Sequence, residues 1–183
     1  MAKEYPSLTP DLRDFIARQH IFFAASAAKD TRINISPRST REFRVIDNNE
    51  ICWLDLTGSG AETAAHLKAD GRLTIMFCAF EGPPNILRLY GHGEILHRDS
   101  KEFSRALAQH FGNQRPVGTR QIVRLAVDLI KTSCGYGVPA FEYRQERPAL
   151  DNWADNKGPQ GIADYWREKN VVSTDGLPTG IVD

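Results

Sequence analysis

The 183-residue chain has no apolar run long enough to cross a bilayer. Its longest runs, such as residues 21–25 and 75–80, fall far short of the roughly 20 positions a spanning helix needs, so no membrane partner is expected. Cysteine is scarce too. Cys52, Cys78 and Cys134 are odd in number, far apart and free of any CxxC spacing, which excludes an evident disulfide framework or zinc site. A reducing, cytoplasmic compartment is the simple reading. The opening Met1-Ala2-Lys3-Glu4-Tyr5-Pro6 has no apolar h-region, so no secretory signal is expected. Excess charge of either sign is also missing. Lys plus Arg and Asp plus Glu number 23 each, which gives no electrostatic reason to expect nucleic acid. The five histidines form no HxxxH pair, so no metal site is expected, and Gly58-Ser59-Gly60 lacks the GxSxG spacing of a nucleophile elbow. No side chain stands out as catalytic.

What is present reads as an ordinary folded domain. Hydrophobic residues make up 41% and charged residues 25%, and the length suits one domain, residues 1–183, with a helical and irregular extension from about residue 140. Thr9-Pro10-Asp11 opens a helix that runs to about Gln19 with Leu12, Phe15 and Ile16 on one face. Residues 21–26 and 32–36 form a hairpin whose second strand should stop at Pro37. Residues 43–46 and 51–56 form another around Asp47-Asn48-Asn49. A helix spans residues 61–69 and ends at Asp70-Gly71. Residues 73–80 make a central strand, and residues 86–96 a long one bent at Gly91 and Gly93. Phe103, Leu107 and Phe111 mark a helix, and residues 121–130 a further strand. Pro148 opens a helix stopped by Gly158, Pro159 opens another, and residues 171–183 are irregular. Antiparallel strands with short connections and a few helices give an α+β fold around an antiparallel barrel.

The segment Asp55-Leu56-Thr57-Gly58-Ser59-Gly60-Ala61-Glu62-Thr63 carries the chemistry. A strand ends, two glycines allow a tight turn, and a helix begins, so free N–H groups meet the positive helix end and suit a phosphate. Hydroxyls of Thr57, Ser59 and Thr63 would add hydrogen bonds. The same residues match a capping box, with Ser59 and Glu62 satisfying the helix N–H groups, and spacing alone favours that cap. Asn34-Ile35-Ser36-Pro37-Arg38 ends a strand with polar groups and a cation, either around a ligand or in solvent. Arg88 points into a polar cleft or into water. The 132–139 loop covers a ring through Tyr136 or is simply a loop. His66 reads as a surface or packing residue, and Trp153 and Trp166 as helix packing.

Taken in order, these segments resemble the pyridoxamine 5'-phosphate oxidase-like family of split barrels that bind flavin mononucleotide (FMN). The likeness covers Phe22-Phe23-Ala24-Ala25-Ser26, residues 32–38, 53–67 and 72–77, and Leu87-Arg88-Leu89-Tyr90-Gly91-His92-Gly93, and it extends to the Cys134-Gly135-Tyr136-Gly137 loop. It implies a six-stranded split β-barrel with flanking helices, a homodimer, and FMN in clefts at the subunit interface. It further implies an FMN-dependent oxidoreductase of an unidentified small molecule, or a non-enzymatic flavin or haem storage protein on the same fold. The implied FMN contacts are Asn34, Ser36, Pro37, Arg38, Asp55, Leu56, Thr57, Gly58, Ser59, Gly60, Thr63 and Arg88. Thr63 falls where the biosynthetic oxidase has a phosphate-holding lysine, and Ala61-Glu62 where it has serine and arginine. Its C-terminal arginine and histidine motif has no counterpart in residues 167–183, so pyridoxamine phosphate is not the expected substrate.

Overall fold

The computed structural model describes residues 2–182. It opens with a three-residue strand that sequence reading missed, β1 (Lys3–Tyr5). Helix α1 (Pro10–Ala17) follows, with the Thr9 hydroxyl accepting from the Leu12 N–H and Leu12, Phe15 and Ile16 buried as one stripe. Strands β2 (Ile21–Ser26) and β3 (Asn34–Ser39) form the first hairpin. A 3₁₀ turn, Thr40–Glu42, leads into β4 (Phe43–Val45) and β5 (Glu50–Leu56), the second hairpin. Then come α2 (Glu62–Ala69), β6 (Arg72–Cys78), β7 (Ile86–His97), α3 (Lys101–Phe111), β8 (Thr119–Ser133) and α4 (Ala149–Lys169).

All strand pairs are antiparallel, in the order β3-β2-β6-β7-β8-β5-β4, with β1 added along β8. Six strands have six or more residues, and β1 and β4 are short additions of three. This curled sheet with flanking helices is the expected α+β split barrel. Its two lateral edges, β3 and β4, do not pair, and that gap is the split. Inside the curl, Phe22, Phe43, Trp53 and Phe77 pack ring against ring, with Ile75, Leu89 and Leu125 fully buried around them. A second cluster places Phe103, Leu107 and Phe111 of α3 against Leu54 and Ile122.

Pro37 does not halt β3, which continues to Ser39. The strand has a neighbour on one side only, so a residue without an N–H is tolerated on its open side. The bend in β7 lies where expected, with the register to β8 shifting between Tyr90 and Gly91. A Cβ at Gly91 would collide with the Ala126 carbonyl, so the close approach of the two backbones requires glycine.

The α4 segment contains the anticipated break: Gly158 sits at φ 64° and Pro159 restarts the helix. The tail is irregular but packed. Ile181 is fully buried against Ala61, Ala64, Ile162 and Trp166, and Val172 bridges Pro178. Asp183 lies outside the described residues. No helix among the described residues is long and apolar enough to cross a membrane.

Candidate functional site

A cleft of about 550 Å³ occupies the seam between β3 and β5. Strand β3 contributes Asn34, Ser36, Pro37 and Arg38; the end of β5 and the following turn contribute residues 53–64; Arg120 of β8 lies at the back. Glu146, Arg147, Leu150 and Asp151 supply an outer wall from the start of the C-terminal extension. The volume falls within the usual range for small-molecule sites, roughly 300–1,000 Å³.

Asp55 sets the electrostatics. Its carboxylate is 2% exposed and lies 2.7 Å from Arg38 Nη1 and 3.1 Å from Arg120 Nη2, and it accepts from Gln121 Nε2 at 2.9 Å. Burial pushes this carboxyl up, but the Arg120 and Arg38 cations and the Gln121 hydrogen bond outweigh it and hold Asp55 below its ordinary value. Arg38 therefore spans the seam, its guanidinium carbon 5.9 Å from the Trp53 ring centroid and its Nε without a hydrogen-bond partner.

The turn after β5 decides between the two readings of its sequence. The capping box does not form. Ala61 is the N-cap of α2 and makes no side-chain cap bond. Glu62 accepts instead from the N–H and hydroxyl of Thr174, which binds this carboxylate to the C-terminal tail. Among the described residues, the N–H groups of Gly58, Ser59, Gly60 and Ala61 donate to no protein acceptor. The carbonyls of the turn are engaged: Gly58 and Ser59 accept from Asn170 Nδ2 at 3.2 and 3.5 Å, and Gly60 accepts from Arg120 Nη1 at 2.9 Å. An uncapped helix start with unused amides is a ready anion site.

Not every residue named from sequence is available to a ligand. The Thr57 hydroxyl is buried beneath the turn, donating to the Gly118 carbonyl at 2.6 Å and accepting from Trp166 Nε1 at 2.8 Å, so it supports the turn and faces no ligand. Asp55 acts through Arg38 for the same reason. Arg88 is not brought to the cleft; on β7 its guanidinium bonds Ser133 Oγ at 3.1 Å. Thr63 lines the cleft and accepts from Asn34 Nδ2 at 3.2 Å, which leaves its own proton free to donate. Ser36 Oγ donates to Asn34 Oδ1 at 3.2 Å.

Three side chains outside the sequence reading, Arg120, Asn170 and Arg41, also matter. Arg120 and Asn170 were missed because neither sits in a local pattern, and only folding brings them to the turn. Arg41 of the 3₁₀ turn makes a two-pronged bond to Asp151 at 2.6 and 2.9 Å, which ties α4 to the cleft rim; that hydrogen bond holds the Asp151 carboxyl below its ordinary value. His66 is buried, its Nδ1 3.1 Å from Ser26 Oγ, in keeping with packing. Trp153 packs edge-on against Tyr165. Tyr136 is exposed and does not line the cleft. Burial pushes the Cys52 thiol up to about 12, and Cys134 is exposed.

Residues 8–134 match the family described as pyridoxamine 5'-phosphate oxidase. A protein of Aspergillus flavus, described as the pyridoxamine 5'-phosphate oxidase family protein ustO, is 33% identical over 95% of this chain and 76% of its own length. Among solved structures, the fold is shared with the haem storage protein HutZ of Vibrio cholerae (TM-score 0.51, 19% identity, 70% of this chain and 97% of that one). It is shared also with an FAD-binding protein of Mesorhizobium loti (TM-score 0.51, 10% identity, 72% and 97%).

Proposed function

The chain belongs to the pyridoxamine 5'-phosphate oxidase family, and on that footing we propose that it binds FMN in the seam cleft and is an FMN-dependent oxidoreductase of a small molecule other than pyridoxamine phosphate. One observation carries the cofactor reading: the turn before α2 has unbonded amides and an uncapped helix start, inside a cleft that also holds Arg38. The group fits what is there. Arg38 Nε is a buried donor without a partner, and Glu62, the one carboxylate at the helix start, is engaged by Thr174.

In this reading the N–H groups of Ser59, Gly60 and Ala61, the hydroxyls of Ser59 and Thr63, and Arg38 hold the phosphate. Leu56 and Gly58 shape the turn, and Asn34, Ser36 and Pro37 border the polar edge of the flavin ring. The flavin supplies the hydride chemistry when bound. The protein orients it, and the Asp55–Arg38 pair fixes the local charge. No proton donor is assigned. A homodimer is part of the reading, with the cleft at the subunit interface: Ile33 and Ile35, on and beside the open edge strand β3, are 75% and 64% exposed. Such an apolar edge calls for a cover. A cytoplasmic location agrees with the unpaired cysteines.

Storage without turnover is the second reading, and it is favoured by the pairing of Arg38, Arg41, Asp55 and Asp151 among themselves, which leaves no free acid in their part of the cleft. Anaerobic titration of the FMN-loaded protein with NADH and NADPH separates the two. Bleaching of the flavin spectrum by either supports the oxidoreductase, and an unchanged spectrum supports storage.

A further inference from the structure

We propose that Asn170, at the end of α4 and outside the family-matched residues 8–134, is the positioning residue that presents the amides of the 58–61 turn to the FMN phosphate. This deepens the cofactor reading above and rests on it.

Asn170 is 0% exposed, and every polar atom of its side chain is used. Its Nδ2 donates to the carbonyls of Gly58 and Ser59, and its Oδ1 accepts from Arg120 Nη1 at 3.1 Å. The same Arg120 atom donates to Gly60 O. Three successive carbonyls of the turn are therefore held from one side by buried donors. In a trans peptide the C=O of one residue and the N–H of the next lie in one plane and point in opposite directions. Fixing the carbonyls of Gly58, Ser59 and Gly60 thus turns the N–H groups of Ser59, Gly60 and Ala61 the other way, and these are among the amides that find no partner in the chain. Only a side-chain amide meets both demands at this position. Aspartate keeps the acceptor for Arg120 but sets a carboxylate oxygen against two carbonyl oxygens, and an apolar residue provides neither bond. The Asn170 backbone is itself anchored, its carbonyl accepting from Thr179 Oγ1 at 2.5 Å.

The test compares FMN with riboflavin, which has the same ring and no phosphate, by fluorescence titration of the full chain and of Asn170→Asp and Asn170→Ser. The serine variant removes the amide without adding charge, and it serves alone if the aspartate variant does not fold. The expected result is that both variants lose about tenfold or more of the preference for FMN, while riboflavin affinity stays within about twofold of wild type. Retention of the wild-type preference in the serine variant overturns the proposal. So does an equal loss for both flavins, which marks a merely structural residue. A wild-type chain with no preference between the two flavins removes the phosphate site itself, and this proposal with it.

Discussion

Asp55 and Thr57 lie two residues apart in the segment that sequence reading assigned to a ligand, yet the chain uses both side chains internally. Asp55, itself buried, neutralises the buried Arg120 and the cleft-lining Arg38. Asp55→Asn leaves two cations without their common counter-charge, and breaking a buried pair of this kind costs about 3–5 kcal/mol, read as a lower urea midpoint at neutral pH. The pH dependence follows from the same pair. A carboxyl held below its unfolded value, about 3.9, contributes stability that is present above that pH and is lost as pH falls toward the folded value. Urea midpoints of the wild-type chain are therefore expected to fall below about pH 4, and this acid component is expected to be absent in Asp55→Asn. Thr57 receives the Trp166 indole N–H from 109 residues away, a pairing that no local pattern announces. Trp166→Phe removes that bond together with the five-membered half of the buried indole, so the lost hydrogen bond, about 1 kcal/mol, adds to a cavity cost for an expected total of about 2–3 kcal/mol in thermal or chemical unfolding.

Elements with a local cause could be read from the sequence. The cap and stripe of α1, the stripe of α3, the two hairpins, and the Gly158–Pro159 break all rest on residues close together in the chain. Elements with a distant cause could not. Strand β1 exists because Lys3–Tyr5 finds β8 at residues 130–132, and three residues alone carry no period. Pro37 was misread because its effect depends on which side of β3 is open, a property of the sheet and not of the strand. The capping box failed for a similar reason: Glu62 had a better partner in Thr174, far along the chain. Gly91 was read correctly as a bend, and its cause is steric. Gly91→Ala is expected to cost about 3 kcal/mol or more, since neither the Ala126 backbone nor β7 has room to move, and circular dichroism melting will report it.

The whole molecule is a barrel whose opening is finished by its own C-terminus. Residues 146–151 wall the cleft, Trp166 and Asn170 support the turn, and Ile181 covers the helix that starts there. The family match ends at residue 134, so this finishing belongs to the part of the chain that the shared fold does not explain. The proposed homodimer would cover the exposed apolar residues of the β3 edge, Ile33 and Ile35. Ile35→Lys is expected to weaken self-association by about tenfold or more in sedimentation experiments, because a buried ammonium without a partner opposes docking.

Amide resonances of Ser59, Gly60 and Ala61, followed while isotope-labelled protein is titrated with FMN, report most directly on the proposed phosphate site. One FMN per chain should saturate the change, with these three resonances among those that move furthest and Arg88 on β7 little affected. If FMN does not bind, or binds while the three amides stay in place, the phosphate lies elsewhere and the account of this cleft is wrong.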